Sequence, residues 1–135
     1  MKQETAAYLA KAEQSLNKAR RVLAIDILDE SGRHAYYAAF HAAQALIFEH
    51  TDRASKSHKG VKTQFARFAK SEPRIERQLS TFLARAYQLK SAADYEIGTA
   101  DIITVVDIRD AIASAEHFVT VIRQVLTTPL VPPSP

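Results

Sequence analysis

Residues 33–48, RHAYYAAFHAAQALIF, constrain this chain more than any other stretch. From residue 35 to 48, apart from the two tyrosine hydroxyls, only His41 and Gln44 bring polar side chains. A surface helix carries one apolar stripe and a charged back, whereas a helix apolar nearly all round belongs inside a protein. Alanine, the best helix former, dominates the stretch. Its small side chains also let neighbouring helices come close. The stretch therefore predicts a buried central helix with other helices packed around it.

A chain of 135 residues is one domain of ordinary size, able to bury a real core. Three glycines and a 3.6-residue hydrophobic period argue against a β-rich fold. No run of about 18 apolar residues is present, so no membrane span is expected. The first residues, MKQETAAYLAKAEQ, place charges where a secretory leader needs an apolar segment. The absence of cysteine excludes disulfides and thiolate metal sites. A cytoplasmic protein is the expectation. The net charge of +3 is unevenly spread. Residues 53–90 carry ten Lys or Arg against Glu72 and Glu76, whereas residues 91–135 carry two against six acids. A basic middle third points to a polyanionic partner, or to a basic face turned toward the acidic last third.

Periodicity divides the chain into five helices. The first is expected over residues 4–29, with Leu9, Ala12, Leu16, Ala19, Leu23 and Ile27 on one face. Ser31-Gly32 reads as its stop, because glycine suits the left-handed position after a helix. The central helix then runs to about Glu49, and the polar stretch 50–57 is a loop. Ser57 is placed to cap a short third helix with Val61, Phe65, Phe68 and Ala69 inward. The fourth helix is expected from Pro73 to Ile97, closed by Gly98, with Ile75, Leu79, Phe82, Ala86, Leu89 and Ala93 as its stripe. Thr99 or Asp101 would cap the fifth. That helix carries an unbroken three-four repeat from Val105 to Leu126, widened by Ile103, Val106, Phe118, Val121 and Val125. The fold expected is all-α, an antiparallel up-and-down bundle of five helices with the third short, over residues 1–128. Surplus apolar width on the fifth helix favours a homodimer. Residues 129–135 hold four prolines in the stretch 128–135 and read as a disordered tail.

Few constellations carry chemistry. No glycine-rich phosphate loop, no HExxH and no serine nucleophile pattern is present. His34 and His41 lie seven apart on the central helix without a third ligand, and His50, Asp52 and His58 match no metal spacing, so no metal or cofactor is expected. The stretch 53–62 carries Arg53, Lys56, Lys59 and Lys62 with His58 at a helix start, where free N–H groups favour phosphate. The stretch 90–95, KSAADY, puts Asp94 late in the fourth helix, where the helix dipole disfavours a carboxylate. Asp94 needs a partner. Lys90 one turn before it, and Arg33, His34, Tyr37 and His41 across the bundle, are the candidates for a structural polar cluster.

Three segments in order, Tyr36-Tyr37-Ala38-Ala39-Phe40-His41-Ala42-Ala43-Gln44-Ala45-Leu46, then Ser57-His58-Lys59-Gly60-Val61 with Phe65, then Ala93-Asp94-Tyr95, resemble the HEPN family (higher eukaryotes and prokaryotes nucleotide-binding), in its small stand-alone prokaryotic branch. The resemblance implies a helical bundle that dimerises, often a metal-independent ribonuclease or toxin, encoded beside a minimal nucleotidyltransferase that acts as antitoxin. It also implies a nuclease motif near the end of a bundle helix. There an arginine holds the phosphate and a histidine four to six residues beyond it moves protons. At the matching place this chain has Lys90, Ser91, Asp94 and Tyr95, and no histidine. The resemblance then implies a degenerate member that binds a partner protein, RNA or a nucleotide through Arg53, Lys56, His58, Lys59, Lys62, Lys90 and Tyr95. The alternatives are a ribonuclease with a rearranged site, using His58 with Arg53 or Lys90 beside Asp94, and a purely structural dimerising bundle.

Overall fold

A computed structural model describes residues 1–95 and 103–128, except the side chains of Ala93 and Tyr95. Five helices account for most of these residues: α1 (Gln3–Leu23), α2 (Leu28–Thr51), α3 (His58–Lys70), α4 (Arg77–Tyr95) and α5 (Val105–Thr127). α2 lies at the centre and touches all four of the others. Its alanines 35, 38, 39, 42, 43 and 45 are wholly buried, as an all-round apolar helix requires. The four long helices alternate in direction. Arg20 pairs with Glu116 and Arg123 with Glu13, so α1 and α5 are antiparallel. Arg33 meets Asp94 and Tyr36 meets Tyr87, so α2 and α4 are too.

The short α3 runs in the same sense as α2, because Tyr36 lies by His58 and His50 by Phe68. The connecting segment must therefore return along α2. Asp52 turns it in the left-handed region at φ 58°, and the buried Gln44 pins it by donating Nε2 to the Ser55 carbonyl at 2.7 Å. Ser57 caps α3 by accepting from the Gly60 N–H at 3.0 Å. Val61 and Phe65 are then driven into the core, where the Phe65 ring stacks on Phe118 with centroids 5.1 Å apart.

Three boundaries differ from the expectation. The first helix ends at Leu23, not Asp29, because Asp26 takes φ 60°, a conformation its short polar side chain tolerates. Ile27, which the periodicity places on the stripe, is left exposed, and so is Ile25. Ser31-Gly32 is consequently no stop. Both residues are buried within the first turns of α2, and Ser31 donates to the Ala19 carbonyl at 2.7 Å. They are small because helices converge there. A Cβ on Gly32 would stand 3.2 Å from Ile108 Cδ1 and 3.4 Å from Leu89 Cδ2. Pro73 lies in a turn before α4 instead of opening it. Thr104 caps α5, in a reciprocal box with Asp107, in place of Thr99 or Asp101. Val105 and Val106 are exposed, while Ile108, Ile112, Ala115, Phe118, Val119 and Ile122 carry the buried face of α5. The expected helix end at Ile97, the Gly98 stop and the tail 129–135 lie outside the described residues.

Gly32 makes a sharp test of this convergence. Gly32→Ala should be near neutral, because a helix gain of about 1 kcal/mol offsets a slight displacement of two methyl ends. Gly32→Leu has no room and should cost about 1–3 kcal/mol or more in urea unfolding. Equal stability of Gly32→Leu and the parent would contradict the packing.

Candidate functional site

The α2–α4 seam joins a group of charged side chains to a cluster of aromatic rings. At its end, Asp94 accepts from Arg33 Nε through Oδ1 and pairs with Lys90 Nζ through Oδ2, each at 2.6 Å. Arg33 also pairs with Glu30, and with Asp29 at 3.7 Å. The hydrogen bonds from Lys90 and Arg33 hold the Asp94 carboxyl below its usual range, so it is a carboxylate at neutral pH. Its own hydrogen bonds raise both cations in turn, and they stay charged. The three groups form a clamp that ties the start of α2 to the end of α4. The clamp also answers the unfavourable position of a carboxylate at a helix C-terminus.

One turn before Lys90 on α4, Tyr87 stacks face to face on His58, with centroids 3.7 Å apart and planes at 10°. The His58 Nδ1 shares a 2.9 Å hydrogen bond with the Tyr36 hydroxyl. The Tyr36 ring in turn lies against Tyr87, Tyr37 and Phe40. Burial raises the Tyr36 phenol far above its ordinary value, so it acts as a neutral hydroxyl. His34 and His41 flank this group without joining Asp94. His34 faces Glu30 at 3.8 Å and the edge of Tyr37. His41 Nδ1 lies 2.8 Å from Gln44 Oε1, and its ring stacks along Tyr37. Since Gln44 spends its amide N–H on Ser55, its oxygen accepts, which places a proton on His41 Nδ1. Among the described residues no three carboxylates or histidines gather as a metal-ligand set.

Burial lowers the affinity of His34, His41 and His58 for a proton, with Lys62 adding to the effect at His58. A histidine whose folded pKa is depressed contributes stability that is complete above the unfolded value of about 6.5 and is lost as pH falls below it. Asp94, Glu72, Glu49 and Asp107 are also depressed, so their contributions fall away below about pH 4.5. Both groups act in the same direction. The melting temperature should be level from pH 8 to 7 and fall steadily from pH 6.5 to 4. A rise over that interval in a calorimetric series would mean that the histidines gain partners on protonation.

The basic residues of the middle third lie elsewhere. Lys59, Lys62, Arg67 and Lys70 stand exposed on the outer face of α3, around a shallow open depression that also takes in Thr63 and Ala66. Arg53 and Lys56 are exposed on the segment leading into α3. Among the described residues none of these six cations has an acidic partner within 4 Å. The structure thus gathers Arg33, Lys90 and Asp94 in one place, and Lys59 with Lys62 in another. His58 sits between them at the α3 start. The side chain of Tyr95 lies outside the described residues.

Over residues 5–125 the sequence matches the model of the HEPN domain. The chain belongs to the HEPN domain family. A relative from Methanocaldococcus jannaschii, named "Putative toxin MJ0605", is 30% identical over 126 residues, which cover 93% of this chain and 91% of the relative. The HEPN bundle therefore spans nearly all of the molecule. Among its described residues, no helix is long and apolar enough to cross a membrane. Tyr87 is a part of the seam not named from the sequence, and Tyr36 is named there only within the segment that resembles the family. The signal was there for Tyr87, which falls three residues before Lys90 on the same helix face. Tyr36 was hidden by its neighbour, since adjacent helix residues point about 100° apart and either tyrosine could have faced α4.

Proposed function

We propose that this chain is a degenerate HEPN protein of the toxin–antitoxin type, which binds RNA through the outer face of α3 and does not cleave it. The observation that carries the RNA reading is the row Lys59, Lys62, Arg67 and Lys70, exposed and without acidic partners among the described residues. Flexible cations around an open surface suit a phosphate backbone, which needs charge rather than a shaped pocket. The loss of cleavage is supported by the end of α4. Asp94 occupies the region where the family's histidine is expected, and its charge repels a phosphate. Both cations beside it are already spent on carboxylates. Lys90 also lacks the two-pronged fork with which arginine grips phosphate. The protein partners that fit this reading are a second copy of the chain and a minimal nucleotidyltransferase, and its setting is the cytoplasm.

Fluorescence anisotropy with a labelled single-stranded RNA in rising salt tests the binding. Four to six phosphate contacts give a slope of about −3 to −4 in log K against log salt. Absence of binding at low ionic strength contradicts the reading, and competition by a mononucleotide would replace RNA with a nucleotide.

One observation favours a second reading, an active ribonuclease. His58 stacks on Tyr87 and lies within a turn of Lys90 along α4, and it is neutral at pH 7, as a general base must be. Against it, Nδ1 is engaged by Tyr36 and one ring face is covered. Toxicity on expression that disappears in His58→Ala would select this second reading.

A further inference from the structure

α4 and α5 are the two long helices that touch most lightly, and a trough runs between them. Two depressions share Phe82 and Ser114 and so form one groove, from Leu89 and Asp107 at one end to Gln78 and His117 at the other. The twelve residues 78–89 of α4 give it a length of about 16 Å. Its floor is apolar and small-sided, with Phe82, Ala86 and Ala111 half or fully buried. Its rims differ in sign. Arg85 stands on the α4 rim, and Asp107 and Asp110 stand on the α5 rim at the same level. All three are exposed. Asp107 is occupied by the Thr104 cap, whereas among the described residues neither Arg85 nor Asp110 has an ion-pair partner.

We propose that this trough is the seat of a second copy of the chain, with the two-fold axis running along it. This rests on the homodimer of the reading above and states where and how the copies meet. A two-fold rotation about the trough lays α4 of one copy over α5 of the other and preserves the level along the groove. Arg85 of each copy then faces Asp110 of the other, and the two pairs form together. A two-fold axis across the trough would instead lay the acidic α5 rims on each other. Opposite signs at one level on the two rims make the surface its own complement, as a closed symmetric interface demands. The four helices that meet would cover the half-buried Phe82 and Leu89.

Light scattering on size-exclusion fractions tests the proposal, with far-UV circular dichroism as the check on folding. The parent chain of 15.0 kDa should run as a dimer. Arg85→Glu and Asp110→Arg should each be monomeric, because each opposes like charges twice. Mixed together they should pair, since the two reversed charges then face each other and the other Arg85–Asp110 contact is unaltered. Ser114→Tyr, exposed at the middle of the trough, should also be monomeric without touching a charge. A dimer retained in all three variants, or monomers that fail to pair on mixing, overturns this interface and leaves the homodimer standing. A monomeric parent overturns both.

Discussion

Replacing Lys59, Lys62 and Lys70 together by glutamine is expected to weaken RNA binding roughly 100-fold at 0.1 M salt and to flatten the salt dependence by about two units of slope. The size follows from counterion release, at about 0.7 per phosphate contact for a single strand, so three contacts give about two decades at that salt. All three side chains are exposed, and none has an acidic partner within 4 Å among the described residues. Their loss should leave folding within about 0.5 kcal/mol of the parent. The melting curve therefore separates a binding defect from a folding defect. Arg21→Gln provides the contrast, because that arginine is exposed on α1 and not on α3. Equal losses per charge removed in the two variants would mean that RNA senses net charge rather than the α3 face.

The second large effect concerns the anchor of that face. Phe65 is completely buried and stacks on Phe118, joining the short α3 to α5. Phe65→Ala should cost about 3–5 kcal/mol, from lost transfer energy and the cavity left behind. In a domain of this size that is a fall of roughly 10–20 °C in melting temperature. Such a loss approaches the whole stability of an ordinary domain. Thirteen residues cannot sustain a helix alone in water, so α3 should be the first element to open. Amide exchange in residues 58–70 should accelerate before exchange in α2 does. Uniform acceleration across both helices would show that α3 is not a separable unit.

Most of the architecture was legible in the sequence for one reason. Helical periodicity reports burial, and here α1, α4 and α5 each carry a stripe while α2 is apolar nearly all round. The Ser57 cap was legible because it is a local hydrogen bond. The α1–α2 break was misplaced because the deciding residue, Asp26, adopts a left-handed conformation that pattern does not reveal. Ser31-Gly32 carried the usual marks of a helix stop, but their smallness serves the contact with Ala19, Leu89 and Ile108. The parallel course of α3 depends on Gln44 catching the Ser55 carbonyl, a link across eleven residues that no spacing rule supplies.

At the seam, the need of Asp94 for a partner was readable from the helix dipole, since a carboxylate at a helix C-terminus must be neutralised. Which of four residues on α2 would meet it was not readable. The structure puts Arg33 there and turns His34 and His41 to Glu30 and Gln44. The ring stack of His58 on Tyr87 was out of reach for the same reason. It joins residues from two helices through a loop whose path the sequence leaves open.

The central claim is that the end of α4 is an ion-pair clamp, so the chain holds RNA without cutting it. The most direct measurement incubates the purified protein with end-labelled RNA at low salt in the presence of a chelator, and follows retention and chain length together. The account predicts salt-sensitive retention of intact RNA, unchanged in His58→Ala. RNA fragments that form with the parent protein and vanish with His58→Ala would contradict it.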